Sequence, residues 1–323
     1  MGKKFKIAIQ CSSIGTRCGI NTYATRLNKY LNKVKGVESM IFAERIRNSP
    51  DVISIQYESG LMPPQFLNGL IQKYSQPIVI TAHHMGLLNQ FYPMIDGFVL
   101  HSKSQIEGLE EPWDYKVIPH PALIFPEKGK EKMRKKYNLP KDKKIIGTAG
   151  FIAGTGKNLP KMVYNILKDL KDDEFLYCIT SFWKGGDFGF EEQIEKIVKE
   201  LGKEDNFRID SDFVTDEILN EKMQACDLLF AWNKMTDPGS TSGIAMDMIG
   251  ARRKVIVKDS PHYSFAGSIK GVEIGNSDQT KFAEDALKLL RSGKLDNTPD
   301  PEPYSWETLV NDYVEYFKEI SGE

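Results

Sequence analysis

Gly150, Gly154 and Gly156 crowd the turn that follows an apolar run, and Lys157-Asn158 open a helical pattern directly after it. A glycine turn leading into a helix presents unpaired backbone N–H groups at the positive end of the helix dipole. Lys157 adds a point charge there, so the stretch suits a phosphate. It is not a P-loop: Phe151 stands where that motif needs glycine, and Asn158 replaces the magnesium-binding Ser/Thr. A flexible surface turn would carry the same residues, and both readings stay open at this point. A second stretch, Ser240-Thr241-Ser242-Gly243, caps another helical run. Its hydroxyls and N–H groups could hold a phosphate or a ribose, with Asp247 one turn further in to accept a sugar hydroxyl. An ordinary N-cap followed by a helix-surface aspartate fits as well.

The first half of the chain has its own candidates. Gly15-Thr16-Arg17-Cys18-Gly19 follows the first apolar run, and the run 77–82 ends at His83-His84. In an open parallel α/β sheet, ligands bind beyond the carboxyl ends of the strands. The two segments could therefore serve one small-molecule site. His83 stands out among the five histidines because a strand ends at it, although most such histidines are structural. No histidine pair has helical metal spacing, and no cysteine pair has ligand spacing, so no metal site is expected. Asp210-Ser211-Asp212 has the spacing of a metal–diphosphate motif but sits among hinge-like residues and reads as loop.

These residues need a scaffold of strands and helices. Strand-like runs cover 6–12, 40–43, 52–56, 78–82, 97–100 and 116–118, with helices at 19–31 and 64–74 and one begun near Ser102. After a polar connector, 125–144, carrying one short helix, the alternation restarts. Strands at 144–149, 175–180, 207–209, 227–231 and 254–257 alternate with helices at 158–170, 190–201, 215–225 and 241–249. A linker rich in Pro and Asp, 294–303, precedes an amphipathic helix at 306–320. Such alternation implies parallel sheets flanked by helices. A length of 323 residues favours two domains.

A net charge of −1 gives no reason to expect nucleic acid or an acidic membrane as partner. The basic stretch 128–144 leaves weak membrane-surface association as a minority reading. The four cysteines are scattered, and Cys178 and Cys226 lie in or beside apolar runs as buried thiols. There is no signal-peptide core and no apolar run long enough to span a bilayer, so the expected location is cytoplasmic, at most at the inner membrane face.

Taken in order, the segments resemble the retaining, nucleotide-sugar-dependent glycosyltransferases of family four. The resemblance runs nearly the full length. Residues 17–23 are similar to that family's amino-terminal glycine-rich turn and helix, and 51–60 to its next strand and acidic loop, which ends in Glu58-Ser59-Gly60. Thr81-Ala82-His83 resembles the strand that delivers the active-site histidine. His101-Ser102 and 117–121 resemble the end of the first domain. Gly156-Lys157-Asn158 resembles the diphosphate-binding turn, and Asp212-Phe213-Val214-Thr215 the loop that holds the base. Residues 304–307 resemble the start of the closing helix. Two departures stand out. The family often has Arg where this chain has Phe151, and commonly has two glutamates eight positions apart where this chain has Gly239 and Asp247.

The resemblance implies an α/β protein of two Rossmann-like domains facing across a cleft, the GT-B fold. The acceptor domain would span 1–122 with a C-terminal helix, 304–323, crossing back to it. The nucleotide-sugar domain would span 123–303. The implied reaction moves a sugar from a nucleotide-diphosphate donor to an acceptor hydroxyl with retention. His83 would be the catalytic residue. Gly19, Lys157, Phe213, Val214, Ser240, Thr241, Ser242, Gly243 and Asp247 would bind the donor. Arg17, Glu58 and His84 would lie on the acceptor side. No tightly bound cofactor is implied. The donor would be a UDP- or GDP-sugar, and the acceptor a carbohydrate, a lipid-linked molecule or another hydroxyl compound. A sugar-nucleotide epimerase of the same fold and a non-catalytic binding homologue are the alternatives.

Overall fold

The computed structural model describes residues 3–46, 49–85, 94–108, 113–152, 156, 158–182, 189–236 and 238–323. In chain order the first elements are β1 (Phe5–Gln10), α1 (Gly19–Leu31), β2 (Val37–Phe42), β3 (Val52–Tyr57), α2 (Pro64–Lys73), β4 (Ile78–Ala82), β5 (Gly97–Leu100) and β6 (Tyr115–Val117). They are followed by α3 (Lys130–Lys136), β7 (Lys144–Ile152), α4 (Leu159–Leu167), β8 (Glu174–Phe182), α5 (Phe190–Glu200), β9 (Phe207–Asp210), α6 (Asp216–Gln224) and β10 (Leu228–Ala231). The chain closes with α7 (Gly243–Gly250), β11 (Lys254–Lys258), α8 (Ser264–Ser268), β12 (Val272–Gly275), α9 (Gln279–Arg291) and α10 (Trp306–Ser321). Two compact units result. The first holds Met1–Pro121, Asp237–Thr241 and Trp306–Glu323; the second holds Ala122–Thr236 and Ser242–Ser305.

Each unit is a six-stranded parallel sheet flanked by helices. The first has the order β2-β1-β3-β4-β5-β6, the second β12-β11-β10-β7-β8-β9. β3 and β4 are buried along their whole length, as strands covered on both faces must be. Helix α1 turns Tyr23, Ala24, Leu27, Tyr30 and Leu31 inward at helical spacing.

The C-terminal helix α10 belongs to the first unit, as the expected crossing back requires. Trp306 stacks on Tyr30 of α1, with ring centroids 5.6 Å apart, and the Tyr23 and Tyr313 hydroxyls hydrogen-bond each other. Tyr316 reaches the far strands: its hydroxyl accepts the Phe98 N–H at 3.1 Å and donates to Asp114 at 3.0 Å. A side chain at Gly97 would collide with that hydroxyl, so glycine is required there.

Several boundaries differ from the expectations. β2 begins at Val37, three residues before the expected run. The helix expected after Ser102 is a 3₁₀ turn, Lys103–Gly108. The stretch 259–293, read without elements, contains α8, β12 and α9. Asp278 caps α9 by accepting the N–H groups of Thr280 and Lys281 at 3.0 and 3.1 Å. The basic connector finds acidic partners within its own unit. Lys128 and Lys136 bind Glu221, at 2.6 and 2.5 Å, and Arg134 binds Asp227 at 2.5 Å. Asp210 is likewise held, by Tyr177, Lys222 and Arg208.

Candidate functional site

Strand order defines where a ligand belongs in the second unit. β7 is followed through α4 by β8 on one side, while its other neighbour, β10, is followed through α7 by β11 on the opposite side. The two connections diverge, which makes the carboxyl ends of β7 and β10 a topological switch point. Both α4 and α7 therefore start there, bringing two positive helix ends to one crevice. The loops are joined by a bond from the Lys234 N–H to the Gly156 carbonyl at 2.8 Å.

Local chemistry sets both helix starts. Asn158, at the cap of α4, is left-handed (φ 42°, ψ 48°), and its side chain makes no capping bond. A reciprocal amide pair holds it: Asn158 Nδ2 donates to Gln279 Oε1 at 3.2 Å, and Gln279 Nε2 donates to the Asn158 carbonyl at 3.1 Å. Asparagine tolerates this backbone better than most residues. Lys157 lies outside the described residues. At α7, Ser242 Oγ accepts the Ala245 N–H at 3.4 Å, and Gly243 is the first helical residue. Asp247 is 5 % exposed, and one of its carboxylate oxygens accepts the Leu123 N–H at 3.2 Å.

Phe213 is 47 % exposed in the loop after β9, next to half-buried Val214. Its ring stacks on Phe151 with centroids 5.9 Å apart and 17° between planes. The pair presents a flat aromatic surface beside the switch point. Around the same carboxyl edge, Thr180 Oγ1, Ser181 Oγ, Trp232 Nε1 and Ser260 Oγ are buried without a hydrogen-bond partner among the described residues.

The first unit has its own switch point, between β1 and β3, whose connections lead to β2 and β4 on opposite sides. Arg17 and Gly19 lie in or just after the loop beyond β1, and Glu58 directly follows β3. In that first loop Gly15 takes a left-handed conformation (φ 75°), and Thr16 Oγ1 bonds the Ser13 carbonyl at 2.6 Å. Cys18 caps α1, its sulfur accepting the Asn21 N–H at 3.4 Å.

His83 directly follows β4 and is partly exposed. Its Nε2 lies 3.1 Å from Gln56 Oε1, while Gln56 Nε2 donates to Ser54 Oγ at 3.0 Å and Thr81 Oγ1 at 3.4 Å. That arrangement makes His83 Nε2 the donor and leaves Nδ1 as the acceptor of the neutral ring. His83 belongs to a cluster around Tyr23, whose ring lies 4.5 Å from His83, 5.4 Å from His101 and 5.0 Å from His120. Burial, reinforced by the other two rings, holds the His83 pKa well below the usual histidine value. His84 Nδ1 pairs with Ser59 Oγ at 3.0 Å, and its backbone forms an antiparallel bridge with Ser240. The Gly239 carbonyl accepts the Met85 N–H at 2.9 Å and Gln105 Nε2 at 3.2 Å.

The structure thus brings Arg17, Gly19, Glu58, His83 and His84 to the carboxyl edge of the first sheet. Ser240 is bridged there as well, and Thr241 groups with that unit. Phe213, Val214, Ser242, Gly243 and Asp247 belong to the second unit. No group of three or more His, Cys, Asp or Glu side chains that could hold a metal ion occurs among the described residues. Sequence reasoning missed Gln56, Trp232 and Lys258. Lys258 carried a readable signal, a lysine directly after the apolar run Val255-Ile256-Val257.

No protein-family model and no curated protein sequence matches the chain. Solved structures do. Sucrose-phosphate synthase from Thermosynechococcus elongatus is 13 % identical, with a TM-score of 0.75 over 99 % of this chain and 100 % of its own. HepE of Anabaena, solved with UDP and glucose, is 11 % identical, with a TM-score of 0.75 over 98 % of this chain and 100 % of its own. A glycosyltransferase from Rickettsia africae is 13 % identical, with a TM-score of 0.70 over 99 % of both chains. The fold of this chain is therefore the one these proteins share, an α/β fold of two Rossmann-like halves of the GT-B type.

Proposed function

We propose that this protein transfers a sugar from a nucleotide-diphosphate donor to an acceptor hydroxyl, with retention of configuration. The observation that carries the reading is the carboxyl edge of the second sheet. Two helix starts lie at its switch point, and four buried polar atoms around that edge have no partner among the described residues. Buried polar atoms are normally paired, so a ligand rich in hydrogen-bonding groups is the fitting partner. The UDP and UDP-glucose bound to HepE are ligands of that kind.

In this reading the second unit holds the donor. Phe213 and Val214 take the base, and the starts of α4 and α7, with Lys157, take the diphosphate. Asp247, Gly243 and Ser242 complete the donor contacts of that unit. The first unit holds the acceptor through Arg17, Glu58 and His84. His83, with Nδ1 as acceptor, orients a sugar hydroxyl near the reacting carbon. No side chain serves as nucleophile. Oriented N–H groups stabilise the charge that develops on the leaving diphosphate, a contribution that usually dominates such catalysis. Phe151 favours a second reading, because it places an aromatic ring rather than a cation near the carboxyl end of β7. That reading is a homologue that binds nucleotide sugars without turnover.

A thermal-shift panel of UDP-, GDP- and ADP-sugars tests donor binding. A true donor at a hundred times its Kd stabilises the folded state by about 2.7 kcal/mol, which should raise the midpoint by several degrees. A panel without any shift would remove the donor site and both readings with it.

A further inference from the structure

Strand β11 carries a buried lysine at each end, and the two are treated differently. Lys254 is fully buried but has a carboxylate partner: its Nζ lies 2.8 Å from Glu273 Oε1 and 2.8 Å from the Gly271 carbonyl. Lys258, at the carboxyl end, is 4 % exposed. It donates to the carbonyls of Asn233, at 3.0 Å, and Met235, at 3.4 Å. Its Nζ sits 5.3 Å from the centre of the Trp232 ring. No carboxylate pairs with it among the described residues.

A buried ammonium without a counter-charge is costly. Two neutral carbonyls and a ring face relieve only part of that cost. Burial accordingly lowers the Lys258 pKa from its usual value. The position is informative as well. Lys258 grips the loop after β10, and Lys234 in that same loop donates its N–H to Gly156, beside the start of α4. The indole N–H of Trp232, 8 % exposed, has no acceptor among the described residues. A cation and a donor without acidic partners among the described residues therefore stand together beside the switch point.

We infer that Lys258 is the buried cation that binds the diphosphate of the nucleotide donor, supplying charge in a unit whose strand β7 presents Phe151 near its carboxyl end. The inference rests on the donor reading given above and names a residue for it. The missing counter-ion is the ligand: the diphosphate pairs with the ammonium when bound, and the Trp232 N–H donates to one of its oxygens.

The alternative role is mechanical, a lysine that only braces the loop 233–235. Calorimetry on the full chain separates the two, using UDP and GDP beside uridine and guanosine as probes. Lys258→Gln and Lys258→Met, the second an apolar side chain of similar length, are compared with the unmodified protein. A charge-assisted contact predicts at least an approximately tenfold loss of nucleoside-diphosphate affinity, with nucleoside affinity unchanged. It also predicts that the ligand-free Lys258→Met protein is at least as stable as the parent, because an unpaired buried charge has gone. Equal weakening for diphosphate and nucleoside would leave Lys258 as a brace, and no weakening in a folded variant would remove it from the site. If the unmodified protein binds neither diphosphate, the donor reading itself fails and takes this inference with it.

Discussion

Ending the chain at Ser305 should unfold the first unit while leaving the second folded. Helix α10 buries Trp306, Leu309, Val310, Tyr313, Val314, Tyr316 and Phe317. Burying one large apolar side chain is worth about 1.5–3 kcal/mol, so the seven together contribute on the order of 10–20 kcal/mol. That matches or exceeds the roughly 5–15 kcal/mol that holds a typical domain together. The loss is polar as well as apolar, since Tyr23 loses its partner Tyr313 and the Phe98 N–H loses the Tyr316 hydroxyl. The second unit has separate cores on the two faces of its sheet, neither of which uses a residue of α10. Hydrogen exchange on the shortened chain should show residues 5–57 unprotected and residues 144–290 protected. Protection retained across β1, β3 and β4 would mean that α10 is dispensable and the packing argument wrong.

Acid should destabilise the first unit over a defined window. His101 is 1 % exposed, and burial lowers its pKa to about 4, only partly countered by the bond from Nδ1 to the Ile118 carbonyl at 3.0 Å. His120 is shifted well down by burial, then by His101 and Arg26, and His83 moves the same way. In the unfolded chain these rings titrate near 6.5. Folded-state values lie below that, so the unfolded chain binds protons first as pH falls. The stabilisation is complete above about pH 6.5 and is lost progressively toward pH 4. His101 alone accounts for roughly 3 kcal/mol by this linkage. Urea midpoints measured from pH 7.5 to 4.5 should fall steeply, and less steeply for His101→Gln, whose amide can still donate to Ile118. A flat profile, or an unchanged slope in the variant, would contradict the assignment.

Much of the scaffold is legible in the chain because its strands are short apolar, β-branched runs between turn residues. Ile78–Ala82 and Lys254–Lys258 need no partner to be recognised, although Lys258 itself extends the second strand past its apolar run. Harder are elements whose identity depends on context. Val272–Gly275 has four residues, of which only Gly275 is fully buried, so no alternation marks it as a strand. Helix α9 was there to be read, with Asp278 as cap and Phe282, Ala283, Ala286, Leu287 and Leu290 at helical spacing. The site is less legible than the fold. Strand order, which creates the switch points, is a long-range property that no local pattern encodes. His83, His101 and His120 look like three unrelated histidines until the sheet gathers them around Tyr23. Lys258 acquires meaning only when it proves to be buried with no paired carboxylate among the described residues.

The central claim is glycosyl transfer, and the direct measurement is turnover. The protein is incubated with each nucleotide sugar that stabilises it, with and without a pool of sugar and sugar-phosphate acceptors, and the products are resolved by mass spectrometry and proton NMR. The account predicts a nucleoside diphosphate and a new glycoside in equal amounts, formed only with acceptor and bearing the anomeric configuration of the donor. It also predicts that His83→Ala lowers the rate while the protein stays folded. Binding without any product, or an epimerised nucleotide sugar formed without acceptor, would contradict it.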